Sequence, residues 1–358
     1  MADLELRQDG DVVWATMNRP GRLNALSRNL VTELREFFVG LYWRRDVRVV
    51  VLQGAGDNFC AGLDLKERGD PQGSRSIGAG LTRQREISEI VIAMRRCPQP
   101  IIACVDGAAA GGGFALALAS DVRIATPTMR MNAAFIRIGL TACDIGVSYF
   151  LPRMVGSSVA AEYMLTGRFI DAERAWQLGL VSRIVPKDQL QAEAQGFVDD
   201  MLHATPLGLR LTKEALNHAI DAQGLEAVIA MEDRNLILAS SDGDFQEGVQ
   251  AFLEKRKPQY SKREGEGHAA WSRLGFPQHG GSGPTTAGRG SMGEVERAAQ
   301  HLPPLSHDPG CAWVIGDISP FQWENQFVHH LAPTPSFPAP GQAQRSSSRA
   351  WRISAPCR

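Results

Sequence analysis

The sequence predicts an α/β fold built around a largely parallel sheet. Residues 47–52 and 100–105 form two runs of apolar and β-branched residues, which are typical of strands buried on both faces. A segment with helical character follows each run along the chain. Strands that alternate with helices favour right-handed crossovers, and such crossovers join parallel strands.

The elements follow in order from the N-terminus. Alternating residues predict an antiparallel hairpin over residues 3–18, with its turn at Asp9-Gly10. After the hairpin, the spacing of apolar residues predicts helices over 24–41, 81–96 and 114–120, and further strands over 121–125 and 129–131. Residues 146–218 are mostly helical in pattern, and two more helices are predicted over 225–239 and 244–256.

The composition of the chain changes near Tyr260. Residues 261–358 are rich in Gly, Pro, Ser, Gln and His and show little periodicity. A segment of that composition cannot bury enough apolar surface to offset the entropy lost on ordering. We therefore expect one domain over residues 1–260, helical at about 195–260, and a low-complexity, disordered tail over residues 261–358.

Charge, histidine and cysteine usage exclude several classes of function. The 38 Lys+Arg and 39 Asp+Glu leave a net charge of −1, so neither nucleic acid nor a membrane is an expected partner. With charges near the N-terminus and no long apolar run, we expect a cytoplasmic protein without a membrane span. The first histidine is His203, and the cysteines lack paired spacing, so no metal site is expected and the first four cysteines are predicted to be reduced core residues.

Two segments with small residues each follow a predicted buried strand. They are NFCAGLDLKE (residues 58–67) and DGAAAGGGFALALASD (residues 106–121). Together with MNRPGRLNAL near the start and FQEGVQAFLEKRK near residue 250, they resemble the crotonase (enoyl-CoA hydratase/isomerase) superfamily over residues of about 4–260. The resemblance implies a crotonase-like fold of repeated ββα units with parallel sheets, followed by a C-terminal helical trimerisation region.

The resemblance also implies a substrate and a site. The substrate would be an acyl-CoA whose thioester becomes an enolate, held in an oxyanion hole by the backbone N–H groups of Leu63 and Gly112. Substrate-binding residues implied within one subunit are Ala61, Leu63, Asp64, Leu65, Lys66 and Gly112. Phe252 and Lys255 would reach the nucleotide of a neighbouring subunit in a homotrimer or hexamer. Coenzyme A is part of the substrate, so no separate cofactor is expected.

The sequence departs from the hydratases of that family at both of their acid–base positions. Hydratases carry glutamates where this chain has Ala115 and Phe135, and neither of these side chains can transfer a proton. Asp144 occupies a position that carries aspartate in dienoyl-CoA isomerases, ring-opened phenylacetyl-CoA isomerases and 4-chlorobenzoyl-CoA dehalogenase. The dehalogenase also has a histidine in the preceding helix, which this chain lacks. We therefore predict an enoyl-CoA double-bond isomerase with Asp144 as its single acid/base.

Several alternatives stay open at this point. Because Asp144 lies just before a predicted helix, its role could be that of a helix N-cap alone. The protein could also be a hydratase with an unrecognised acid, or a catalytically silent acyl-CoA-binding protein. Glu86 and Glu89 are weaker candidates for a supplementary acid, and Asp64 and Asp121 are expected to cap or pair. Apolar neighbours such as Phe135, Ile138 and Phe150 are expected to raise the pKa of Asp144.

Overall fold

A computed structural model of the chain describes residues 2–67 and 76–260. The strands are β1 (Leu4–Asp9), β2 (Val12–Met17), β3 (Val49–Gly54), β4 (Ile101–Val105), β5 (Ala108–Ala110), β6 (Val122–Ala125), β7 (Arg130–Asn132), β8 (Ile170–Asp171) and β9 (Arg183–Ile184). The α-helices are α1 (Arg28–Leu41), α2 (Ile77–Arg96), α3 (Gly112–Ala119), α4 (Val147–Val155), α5 (Ser157–Thr166), α6 (Ala172–Gln177), α7 (Leu190–Leu202), α8 (Pro206–Ala219), α9 (Leu225–Ser240) and α10 (Gly243–Glu254). The low-complexity tail predicted over residues 261–358 lies outside the described residues.

The larger sheet has six strands in the order β1-β2-β3-β4-β6-β9, and β5, β7 and β8 form a second sheet. β1 pairs antiparallel with β2, so the predicted hairpin is confirmed. The remaining pairs of the larger sheet are parallel, as predicted. The two-residue strands β8 and β9 were not predicted, because a strand of that length is too short to produce a visible alternation of apolar residues.

Each face of the larger sheet contacts its own apolar core. Val50, Leu52 and Ala103 belong to the larger core, which includes residues of α1, α2 and α3. The intervening residues, among them Val51 and Ile102, belong to a second core with apolar residues of α7. Because alternate residues enter different cores, strands β3 and β4 appear in the sequence as uninterrupted apolar runs.

Serine side chains determine where the first two helices begin. Ser27 Oγ accepts a hydrogen bond from the Leu30 N–H at 2.9 Å, and Ser76 Oγ accepts one from the Ala79 N–H at 3.2 Å. Helix α1 therefore starts four residues later than predicted, and α2 starts four residues earlier. Buried Asn24 has φ 54 and belongs to the turn that precedes α1.

Helix α8 is attached to the sheet by polar contacts. Lys213 is 4% exposed, and its Nζ lies 2.8 Å from the Gln99 carbonyl oxygen and 2.9 Å from the Asp121 carboxylate. One helical turn further on, Asn217 hydrogen-bonds to Arg95, which also forms an ion pair with Asp121. Asp121 is therefore engaged in ion pairs, as expected from the sequence.

The two helices that follow α8 present apolar side chains to solvent. No residue of α9 is buried. The large exposed apolar residues are Leu225, Ile229, Leu236, Ile237 and Leu238 on α9, and Phe245, Val249, Phe252 and Leu253 on α10. Within the described ranges, no helix combines the length and the apolar character needed to cross a membrane. Contiguous exposed apolar patches commonly mark interaction sites.

Cys60, Cys97 and Cys104 are buried and unpaired, as predicted for core residues. Burial raises the pKa of Cys60 and that of Cys104 to about 12, so both thiols stay protonated at neutral pH. Cys143 is exposed, contrary to the prediction, because it lies in the irregular segment that precedes α4.

Candidate active site

The loop that follows β3 is hydrogen-bonded on both sides. The Cys60 N–H donates to the Ala108 carbonyl oxygen at 2.9 Å, and the Leu26 N–H donates to the Gly62 carbonyl oxygen at 2.7 Å. Leu63 forms an isolated parallel bridge with Leu26. Among the described residues, no acceptor is recorded for the Leu63 N–H, so this donor remains available to a ligand.

A second backbone donor lies at the start of α3. Gly112 is the first residue of that helix, and N–H groups in a first helical turn have no acceptor within the helix. In the part of the chain that the structure describes, the Gly112 N–H has no recorded acceptor. The preceding residue, Gly111, adopts φ 52, a conformation that favours glycine.

The structure brings the predicted oxyanion positions together. A methyl group on Gly62 would lie only 3.2 Å from the Gly112 nitrogen, so the residue before Leu63 is in direct contact with the start of α3. A methyl group on Gly113 would lie 2.0 Å from the Cys60 carbonyl oxygen. Only glycine permits these backbone contacts, and the contacts place the residue before Leu63 against the start of α3.

Asp144 precedes a residue whose side chain lies near Gly112. The side chain of its neighbour Ile145 approaches Gly112, since a methyl group there would lie 3.7 Å from Ile145 Cδ1. Asp144 Oδ1 accepts hydrogen bonds from the Ile145 N–H at 2.8 Å and from Gln84 Nε2 at 2.6 Å. Helix α4 begins at Val147 and has no side-chain cap. The Asp144 side chain is therefore not the N-cap of α4.

The environment of Asp144 is partly apolar. Burial raises the pKa of its carboxyl group, and the hydrogen bonds from the Ile145 N–H and from Gln84 oppose that rise without cancelling it. The predicted direction of the pKa shift is confirmed. Ile145 adopts φ 35, which is strained for a β-branched residue, and such strain is commonly found at functional sites.

Apolar side chains occupy the two positions where hydratases have glutamate. Ala115 is fully buried in α3, and Phe135 is 8% exposed. The Phe135 ring lies against Gly111, where a methyl group would be 3.4 Å from the ring edge. Asp144 therefore has no carboxylate partner at either of these positions.

Arg19 forms ion pairs with acidic residues just C-terminal to Leu63. Its Nη2 lies 3.1 Å from Asp64 Oδ2 and 2.9 Å from Glu67 Oε1, and its Nε lies 3.4 Å from Asp3 Oδ2. Burial would raise the pKa of Asp64, but hydrogen bonds from Arg19 and from the Lys66 N–H outweigh burial and lower it. Asp64 is engaged in an ion pair, as expected from the sequence.

Sequence reasoning missed Arg19 and Gln84 as site residues. Arg19 stands inside the quoted MNRPGRLNAL motif, and Gln84 lies on the predicted helix 81–96, so each had a weak positional signal. Of the two glutamates considered on that helix, Glu89 pairs with Arg96 at 3.3 Å and with Arg85 at 3.8 Å. Glu86 is exposed.

The other predicted binding residues are exposed or lie elsewhere in the chain. Leu65 and Lys66 are exposed beyond Asp64, and Ala61 is half-buried. Phe252 is 83% exposed, and Lys255 ends α10 with φ 54. No hydrogen bond or ion pair between described residues joins these last two to the Leu63 loop. Across residues 2–67 and 76–260, no cluster of His, Cys, Asp or Glu could hold a metal ion.

The fold and the site define a class of protein: an α/β fold in which the loop after a strand of a mostly parallel sheet lies against the start of a glycine-rich helix. The profile of the enoyl-CoA hydratase/isomerase family matches residues 7–263. The chain belongs to this family, which is part of the crotonase superfamily, and the fold predicted from the resemblance is confirmed.

The names of similar proteins describe more than one activity. A probable enoyl-CoA hydratase of Mycobacterium tuberculosis is 38% identical over 255 residues, covering 70% of this chain and 90% of the relative. The 1,2-epoxyphenylacetyl-CoA isomerase of Escherichia coli is 34% identical over 251 residues, covering 70% and 95%. The crystal structure of an enoyl-CoA hydratase from Bacillus anthracis matches with a TM-score of 0.68 and 33% identity, covering 72% of this chain and 98% of that one.

The contact between Gly113 and Cys60 predicts a large cost for an added methyl group. Gly113→Ala is expected to lower the free energy of unfolding by about 3 kcal/mol, because the methyl group would meet backbone atoms that cannot move aside. As a control, Gly80→Ala on α2 meets nothing within 4 Å and should raise it by about 0.5–1 kcal/mol. Urea denaturation measures both values, and equal stability of the two variants would contradict this account.

The ion pair between Arg19 and Asp64 predicts a stability loss that depends on pH. Arg19→Gln is expected to lower the free energy of unfolding by about 3 kcal/mol at pH 7, because it leaves a buried carboxylate without its partner. A lowered pKa stabilises the native state above the unfolded value of about 3.9, and that stabilisation disappears as pH falls through the folded value. The loss should therefore shrink in acid. Adding Asp64→Asn should restore part of the stability at pH 7, and no recovery would contradict the assignment.

Proposed function

We propose that this member of the enoyl-CoA hydratase/isomerase family moves a double bond within an acyl-CoA thioester, with Asp144 as its single acid/base. The observation that carries the proposal is a half-buried carboxylate with a raised pKa, one residue before the Ile145 side chain that lies near Gly112, and without a second carboxylate at the hydratase positions. One correctly placed base suffices for allylic proton transfer, because it can remove a proton and return it.

The first step of the proposed reaction removes a proton from the substrate. With a 3-enoyl thioester, the carboxylate of Asp144 accepts the proton of C2, and the electron pair of the broken C–H bond delocalises onto the thioester oxygen. The N–H groups of Leu63 and Gly112 donate hydrogen bonds to that oxyanion. Because these donors are fixed by backbone packing, they need little reorganisation as the charge develops.

The second step returns the proton at a different carbon. The carboxylic acid of Asp144 delivers the proton to C4, the double bond moves to C2–C3, and the carboxylate is regenerated. A carboxyl group with a raised pKa suits both steps, because it is a stronger base than a solvated aspartate and its acid form persists closer to neutral pH. The relative named as 1,2-epoxyphenylacetyl-CoA isomerase supports isomerase chemistry on this scaffold.

Hydration is the rival reaction, and the names of several relatives favour it. Addition of water in that family uses two acid–base carboxylates, and Ala115 and Phe135 cannot replace them. An acyl-CoA-binding protein without activity would keep the backbone donors and lose turnover. In all three alternatives coenzyme A is part of the bound thioester and lies along the segment of Ala61, Asp64, Leu65 and Lys66. The proposed chemistry needs no further cofactor.

The role of Asp144 predicts the outcome of a substitution. Asp144→Asn and Asp144→Ala should each lower kcat for isomerisation of 3-enoyl-CoA by about 10³, since they remove the proton acceptor. The Kd for acyl-CoA should change little, because the backbone donors remain. Glu89→Gln serves as the control, since Glu89 is paired with arginines on α2. Unchanged turnover in both Asp144 variants would refute the assignment.

The products formed by the wild-type protein separate the rivals. Isomerised thioester from 3-enoyl-CoA supports the proposal. If the protein hydrates 2-enoyl-CoA faster than it isomerises 3-enoyl-CoA, it is a hydratase and the proposal is wrong. Binding without any conversion would establish the silent binder.

We further propose that the exposed apolar surface of α9 and α10 packs against other copies of this chain in a trimer or hexamer. The apolar side chains of α9, none of which is buried, support this proposal. In such an assembly Phe252 and Lys255 would extend toward the nucleotide bound to a neighbouring subunit, as the family resemblance implies.

The assembly proposal predicts a change of molar mass. Leu236→Glu, at a position that is 68% exposed on α9, should reduce the mass measured by light scattering toward that of one chain. A charge buried in an apolar interface is costly unless it is paired. Leu6→Glu, at a 53% exposed position on β1, is the control and should leave the mass unchanged. A wild-type protein with the mass of one chain would contradict the proposal.

A further inference from the structure

The carboxylate of Asp144 is hydrogen-bonded asymmetrically. Both of its recorded donors, the Ile145 N–H at 2.8 Å and Gln84 Nε2 at 2.6 Å, bind the same oxygen, Oδ1. Within the described residues, no donor is recorded for Oδ2. One oxygen is therefore held, and the other is available to a substrate.

The two donors hold the carboxylate in different ways. The Ile145 N–H belongs to the next residue, so by itself it ties Oδ1 only to the local backbone. Gln84 lies 60 residues away on α2, and its amide ties the same oxygen to a separate helix. A side chain bonded to two independent elements loses the rotation about its Cα–Cβ and Cβ–Cγ bonds that would exchange its two oxygens.

Helix α2 is well placed to give this support. Its residue Val91 packs near Gly146, where a methyl group would lie 3.5 Å from Val91 Cγ1, so α2 contacts the chain on both sides of Ile145. Ile87 and Ile90 of the same helix are buried in the core. Packing therefore fixes the helix that carries Gln84, whereas the Gln84 side chain itself is exposed.

We propose that Gln84 is a positioning residue, whose amide holds Oδ1 of Asp144 so that Oδ2 faces the reacting carbons of the acyl chain. The inference rests on the proposed role of Asp144 as the acid/base. Glutamine suits the task because its amide donates a hydrogen bond without carrying a charge. A carboxylate in its place, 2.6 Å from Oδ1, would compete with Asp144 for the same proton.

The groups that act on the titration of Asp144 are few. They are burial, the Ile145 N–H and the Gln84 amide, and no charged side chain of the described residues is among them. Removal of the amide therefore has a defined direction: the ionised form loses a donor, and the pKa of Asp144 rises further.

The first test uses kinetics of the full-length chain. Gln84→Leu is expected to lower kcat about tenfold through loss of orientation, with little change in KM. The acid limb of the kcat/KM profile should move to higher pH by about one unit, the effect expected for one lost hydrogen bond to a charged group. Gln84→Glu should move that limb further, because two adjacent carboxyl groups share one proton.

A matched control exists on another helix. Gln177 donates from Nε2 to Glu173 Oε1 at 3.2 Å on the exposed surface of α6, so it also joins an amide to a carboxylate. Gln177→Leu should leave kcat, KM and the pH profile unchanged. A pH profile for Gln84→Leu that coincides with this control would overturn the positioning role.

A second measurement does not depend on activity. A raised pKa means that ionisation of Asp144 costs stability as pH rises through the folded value, so Asp144→Asn should gain Tm relative to wild type over that window. In a Gln84→Leu background the gain should be larger and should extend to higher pH. An identical gain in both backgrounds would refute the contact. If Asp144→Asn retains full turnover, the proposed function fails; if Asp144→Asn is inactive and Gln84→Leu behaves as wild type, only the positioning role fails.

Discussion

The close approach of two backbone segments is the constraint on which the site depends. The start of α3 lies against the loop after β3 so tightly that a methyl group on Gly113 would be 2.0 Å from a carbonyl oxygen. A side chain on Gly62 or Gly113 would push the two segments apart. The loop follows the carboxyl end of β3, and the start of α3 follows β5, the short strand that comes next in the chain after β4, the parallel neighbour of β3.

The two carboxylates in this region, those of Asp64 and Asp144, have different electrostatic environments. Arg19 neutralises the buried carboxylate of Asp64 on one side of the loop, which stabilises the loop itself. Among the residues that the structure describes, no cation acts on the titration of Asp144, and burial raises its pKa. Asp64 therefore contributes to structure and stays ionised, whereas the raised pKa of Asp144 suits the acid–base role that we propose for it.

The strands and the glycine motif could be predicted from sequence because their signals are local. Strands β3 and β4 are continuous apolar runs, and the three glycines at 111–113 stand where a strand ends and a helix begins. Arg19 and Gln84 gave no comparable signal, since their partners Asp64 and Asp144 lie 45 and 60 residues away in the chain. A side-chain contact across such a separation is determined by tertiary packing, which the spacing of residue types does not encode. Helix starts differed from prediction because serine caps, rather than apolar periodicity, determine them.

The burial of Cys60 affects how its sulfur would react with the proposed product. A 2-enoyl thioester, the product proposed above, is a conjugate electrophile that thiolates attack at C3. Cys60 belongs to the loop that carries the proposed oxyanion donor Leu63, and its carbonyl group contacts the first turn of α3. Because burial raises the pKa of Cys60 to about 12, its sulfur remains a thiol and a poor nucleophile at neutral pH. A cysteine can therefore fill this tightly packed position without becoming a target for self-alkylation.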